Sequence, residues 1–136
     1  MLTVGRAPFL ECSTKGDTRF SPFYAKVKGV SIEDAYHAKK ILRSPIPVLF
    51  GEDKRTGLGW REAKELQRGG WVLTNPKSCA KLYSRMWDDY MRENRDLLKV
   101  LKRASGLSDM FGQPTSIVCQ VIELWRIRDL YLAGKF

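Results

Sequence analysis

Apolar residues are scattered in short runs early in the chain and gather into helical stripes later. Over 77–93, Cys79, Leu82, Tyr83, Met86, Trp87 and Tyr90 recur at spacings of three and four, which predicts an amphipathic helix. Thr74-Asn75-Pro76 precedes it, a capping residue followed by proline at the first helical position. A second helix is expected from an Asn94 cap, with Leu97, Leu98, Val100, Leu101 and Ala104 inward and Ser105-Gly106 as its stop. A third follows Pro114, capped by Thr115 or Ser116. Ile117, Val118, Val121, Ile122, Leu124, Trp125 and Ile127 make it apolar around more than half its circumference, so a central place is predicted. Gln120 sits among them, and a buried glutamine needs partners, in the backbone or in a ligand. From Asp129 to Phe136 a tail is expected.

The early runs read differently. Ala7 to Cys12 is a strand candidate that Pro8 places at an edge or a strand start. Ser13 to Asp17 is a turn, and Tyr24 to Val27 a second strand closed by Gly29. Ser31 then caps a helix, with Asp34 three residues on as in a capping box. That helix stops before Pro45. Residues 44–59, rich in proline and glycine, read as a loop with a short strand at Val48–Phe50, and a short helix follows from Trp60. The sum is an α+β fold: a mostly helical single domain over 1–136 with a small N-terminal antiparallel sheet.

Composition narrows the class. A chain of 136 residues with 43% hydrophobic content is long enough for one cored domain. No apolar run approaches the roughly 20 residues of a membrane span, and the N-terminus lacks a signal layout, so no membrane partner and a cytoplasmic location are expected. Cys12, Cys79 and Cys119 are widely spaced and read as reduced thiols. One histidine and no CxxC argue against a zinc site, and no cofactor is called for. The net charge of +9 points to anionic partners, with nucleotides and nucleic acid the leading classes.

Candidate chemistry gathers after the second strand. Glu33, Tyr36, His37 and Lys40 fall three or four apart and share a helical face. On spacing alone such a face reads first as the solvated side of an amphipathic helix, because charged helix faces are ordinary, and second as an active-site edge.

The same stretch, F-S-P-F-Y followed by a strand and S-I-E-D-A-Y-H-A-K-K, resembles the hallmark of the NADAR family of small α+β N-glycosidases. Ser21, Phe23, Tyr24, Ser31, Glu33, Ala35, Tyr36, Ala38 and Lys40 match the family pattern, while Pro22, Asp34 and His37 depart from it. Ala63, Lys64, Arg68 and Gly69 echo a later family element. Asn94, Leu97 or Leu98, Leu101 and Ser105-Gly106 echo a third. Asp109 and Gly112 fit an acid ahead of a Trp-Gly pair, with Phe111 where tryptophan is usual. The echoes span residues 19–112 in family order.

The resemblance implies hydrolysis of an N-glycosidic bond in a ribosylated nucleotide, or of ADP-ribose attached to a base in nucleic acid. That chemistry needs a carboxylate near the ribose as it becomes cation-like, a positioned water and a grip on the leaving base. Glu33 is the expected catalytic carboxylate and Asp109 the second acid. Phe20, Phe23, Tyr24 and Trp60 are candidates to sandwich the base, with Tyr36 and Gly112 beside them. Arg19, Arg61, Lys64 and Arg68 are candidates to hold phosphates. The competing reading is a basic module that binds nucleic acid, an ADP-ribose-like nucleotide or a partner protein without chemistry.

Overall fold

The computed structural model describes residues 1–39, 76–113 and 118–136. Its strands are β1 (Leu2–Gly5), β2 (Phe9–Glu11), β3 (Lys26–Val27), β4 (Val30–Ser31) and β5 (Gly106–Asp109). Its helices are α1 (Ile32–Lys39), α2 (Pro76–Glu93), α3 (Asp96–Arg103) and α4 (Gln120–Leu132), with a 3-10 turn at Thr18–Phe20. The fold is α+β, as the pattern predicts. The expected loop at 44–59 and helix from Trp60 lie outside the described residues.

The sheet differs in detail from the expected antiparallel one. Its order is β1-β5-β2, with β5 antiparallel to β1 and parallel to β2. The central strand thus comes from late in the chain, where the sequence suggests only a helix stop. Gly106 makes this possible. A Cβ there would lie 2.4 Å from the Arg6 carbonyl oxygen and 2.7 Å from that of Val4, so only glycine lets the flanking segments close on β5. All four β5 residues are buried. Strand alternation sends Leu107 and Asp109 to one face and Ser108 to the other.

The first strand candidate, 7–12, is shorter than expected at Phe9–Glu11, and β1 precedes it. The second contracts to Lys26–Val27, which pairs with β4 across a turn whose Lys28 and Gly29 both have positive φ. The Ser31 cap is present: its Oγ accepts from the Asp34 N–H at 3.1 Å.

Helix α2 begins at Pro76, as the proline signal predicts, and buries Cys79, Tyr83, Trp87, Tyr90 and Met91. Tyr36 of α1 continues this stripe. Tyr36–Tyr83, Tyr83–Trp87 and Trp87–Tyr90 form a run of edge contacts at 5.4, 6.5 and 5.6 Å. Leu97, Leu98 and Leu101 of α3 complete that side of the core. The expected Asn94 cap is absent. Its side-chain amide donates back to the Tyr90 carbonyl at 2.8 Å, and Arg95 stands at the cap position without a side-chain bond.

Helix α4 buries Val121, Leu124 and Ile127, but Ile122 is exposed, so one stripe and not the whole surface is inward. It runs through Asp129 to Leu132, where a tail was expected. The proposed caps Thr115 and Ser116 lie outside the described residues, and Cys119 occupies the cap position. Arg126 joins α4 to α2, reaching Asp88 at 2.6 Å and Glu123 at 2.9 Å, while Ser84 donates to Glu123 at 2.8 Å. No helix among the described residues is long and apolar enough to cross a membrane.

Candidate active site

A cavity of about 640 Å³ opens between the N-terminal turn of α1, the end of β5 and the start of α4. Its size falls in the ordinary range of small-molecule sites. Glu33, Asp109, Phe23, Tyr36 and Gly112 all line it. The structure thereby brings together five of the residues expected at a site.

Local hydrogen bonds explain why Glu33 is there. The turn after the 3-10 helix folds back, with the Ala25 N–H donating to the Ser21 carbonyl at 2.8 Å. The Ile32 N–H then reaches the Ala25 carbonyl at 3.0 Å, and the Glu33 N–H the Pro22 carbonyl at 2.9 Å. These bonds lock the first turn of α1 against 21–25 and set Glu33 beside Phe23. His37 lies one helical turn on. Its Nε2 is 2.5 Å from Glu33 Oε1, and both residues line the cavity. Glu33 Oε2 makes no hydrogen bond to any described residue.

Asp109 is held differently. Its Oδ1 accepts the Phe111 N–H at 3.0 Å and its Oδ2 accepts the Gln120 side-chain amide at 2.7 Å. Both oxygens are therefore committed, and Asp109 and Gln120 are only 7% and 6% exposed. The Gly112 N–H closes the turn on the Asp109 carbonyl at 3.0 Å. A side chain at Gly112 would strike Leu2 Cβ at 2.7 Å.

Behind this turn, Glu11 ties three segments together. Its Oε1 accepts from Ser108 Oγ at 2.8 Å, and its Oε2 accepts the Met110 N–H at 3.1 Å and the Ser13 N–H at 3.2 Å. Burial works against the Glu11 charge, but the bonds from Ser13, Met110 and Ser108 outweigh it and hold the carboxyl below its usual range.

The phenols on the cavity wall are neutral donors. Burial pushes the Tyr36 hydroxyl up, with help from nearby Cys79 and Glu33, and burial pushes that of Tyr83 well up. Phe23 and Phe111 are more than half exposed at the mouth, in reach of a flat ligand.

Other expected site residues lie elsewhere. Phe20 is fully buried in the core, because Tyr90 donates to the Arg19 carbonyl at 2.7 Å and draws the 3-10 turn onto α2. Arg19 points outward and pairs with Asp17 at 2.7 Å, away from the cavity. Tyr24 is exposed and does not line the cavity. Trp60, Arg61, Lys64 and Arg68 lie outside the described residues. Among the described residues, no lysine or arginine lines the cavity.

His37, Tyr83, Phe111 and Gln120 are among the lining residues that the sequence left unassigned to a site, although His37 shared the Glu33 face and Gln120 stood out among apolar neighbours. No group of three or more His, Cys, Asp or Glu among the described residues is placed to hold a metal. The three cysteines are free. No protein-family model matches the chain, and no curated protein sequence matches it.

Proposed function

We propose that the protein is an N-glycosidase acting on a ribosylated or ADP-ribosylated base, with Glu33 as its catalytic carboxylate. One observation carries the reading. Two carboxylates line one cavity of nucleotide size, and they are held in unequal ways: Asp109 has both oxygens committed, while Glu33 Oε2 makes no hydrogen bond to any described residue. The likeness of FSPFY and SIEDAYHAKK to the NADAR hallmark supports the same reading.

The unequal carboxylates suit the two demands of the reaction. A water on Glu33 Oε2 gives up its proton there as its oxygen attacks the anomeric carbon. The glycosidic C–N bond breaks, and its electron pair leaves with the base. Asp109, fixed and unable to turn, presents negative charge to the ribose as positive charge builds on it. Phe23 and Phe111 at the mouth offer ring faces to the base.

The test is a paired assay of the parent and Glu33→Gln. Each is incubated with DNA carrying guanine-linked ADP-ribose and with a ribosylated nucleotide, and free ribosyl product is followed by mass spectrometry. Loss of a proton-accepting carboxylate predicts a fall in turnover of about 100-fold or more at unchanged circular dichroism. Full activity in Glu33→Gln refutes the reading.

A binding module is the second reading. It draws on the exposed Lys99, Lys102 and Arg103 of α3 and on the net charge of +9. It predicts salt-dependent binding to nucleic acid with no product release.

A further inference from the structure

We infer that His37 is a positioning residue for Glu33, fixing one carboxylate oxygen so that the other is delivered to the cavity. The inference rests on the glycosidase reading. An unheld glutamate on a helix samples several rotamers, and most of them point Oε2 away from any one spot. Here Glu33 Oε1 is held by the His37 ring at 2.5 Å. An ionised carboxylate can only accept, so the imidazole donates from Nε2. The ring is itself confined: its side chain is 10% exposed, and it lies 5.6 Å from the Tyr36 ring at a tilt of 59°. Glu33, with a side chain 22% exposed, is thus held by a partner that is itself largely buried. Oε2 remains, on a residue that lines the cavity and with no bond to any described residue.

The geometry also says what can replace the imidazole. The requirement is a donor one helical turn after Glu33, not a titrating ring. Glutamine meets it, because its side-chain amide can donate to a carboxylate at the (i, i+4) spacing. Leucine fills similar space and donates nothing.

The test has a kinetic arm and a spectroscopic one. In the kinetic arm, the parent, His37→Gln and His37→Leu are assayed on the substrates named above. Release of a catalytic group from its reacting geometry predicts kcat lower by roughly 10- to 100-fold in His37→Leu, with KM within about threefold of the parent. His37→Gln is expected to recover most of that loss. A purely structural role would lower both variants together or move KM instead. Parent-like kcat in folded His37→Leu overturns the inference and leaves the glycosidase reading standing. Absence of hydrolysis by the parent itself overturns both.

The spectroscopic arm needs no substrate. His37 is the only histidine of the chain, so its imidazole nitrogen resonances are unambiguous. They are expected to report a proton on Nε2 in the parent and to change in Glu33→Gln. Ring resonances identical in the two proteins overturn the inference whatever the activity.

Discussion

Replacing Gln120 by leucine removes its amide hydrogen bond to Asp109 and a long, weak one accepted from the Cys119 thiol at 3.9 Å. The two side chains are similar in volume, so no sizeable cavity is left behind. What remains is Asp109 Oδ2, in a residue only 7% exposed, without the amide that now sits 2.7 Å away. A hydrogen bond to a charged group contributes about 1.5–3 kcal/mol, and stripping the partner from a fully buried ion costs about 3–5 kcal/mol. Asp109 borders the cavity and water can approach it there, so the lower range applies: about 2 kcal/mol. For a domain of this length that is a fall in Tm of roughly 6–10 °C.

Urea denaturation followed by circular dichroism reads the loss, with an unchanged m-value showing that the unfolded state is the same. A double-mutant cycle with Asp109→Asn isolates the pair, and the two changes are expected to couple by about 1 kcal/mol or more. If Gln120→Leu lies within about 0.5 kcal/mol of the parent, or the cycle is additive, the buried pair does not hold Asp109 and the reasoning fails.

Three further outcomes are expected. Gly106→Ala drives a methyl to 2.4 Å from the Arg6 carbonyl oxygen, which predicts about 3 kcal/mol of destabilisation by urea titration; parent-like stability would mean that β5 does not pack as described. Glu11 has a lowered folded-state pKa, so its contribution is present above the ordinary glutamate range and lost as pH falls through the folded value. The parent should therefore lose stability more steeply than Glu11→Gln on acidification below about pH 5, and parallel curves would contradict the clamp. The Cys12 thiol is pushed up to about 12, first by burial and then by nearby carboxylates, and Cys79 is also buried, whereas Cys119 is half-buried on the cavity wall. A thiol reagent at pH 8 should label Cys119 first, as peptide mapping would show, and first labelling at Cys12 would contradict its burial.

Local periodicity made the helices legible. The stripe of α2 and the leucines of α3 repeat at helical spacing and pack as they repeat. Strand β5 was not legible, because Gly-Leu-Ser-Asp has none of the β-branched residues that mark strands. Its place at the centre of the sheet is set by Glu11, by the pairing with β1 and β2, and by the space that Gly106 vacates. The aromatic turn shows the same limit. Phe20 and Phe23 are three apart on an irregular turn, and no period says which goes inward; the bond from Tyr90 to the Arg19 carbonyl decides it. At the site, the shared face of Glu33, Tyr36 and His37 follows from helical spacing alone. That Asp109 joins them depends on contacts between distant segments, which periodicity does not carry.

The site straddles two kinds of support, and this sets how it fails. Glu33 sits in the first turn of α1, where the helix dipole favours its charge and the bonds to Pro22 and Ala25 fix the backbone. It can keep its place while the sheet loosens. Asp109 has no such independence, because it faces the cavity only while β5 keeps its register, Leu2 against Asp109 and Gly5 against Gly106. A slip of one residue would turn Asp109 to the face now held by Ser108 and bring Ser108 to the cavity. Glu11 opposes that slip, since it grips both Ser108 and Met110, on either side of Asp109. Glu11 thereby fixes the face on which Asp109 emerges, and on the proposed glycosidase reading sheet register and turnover should be lost together.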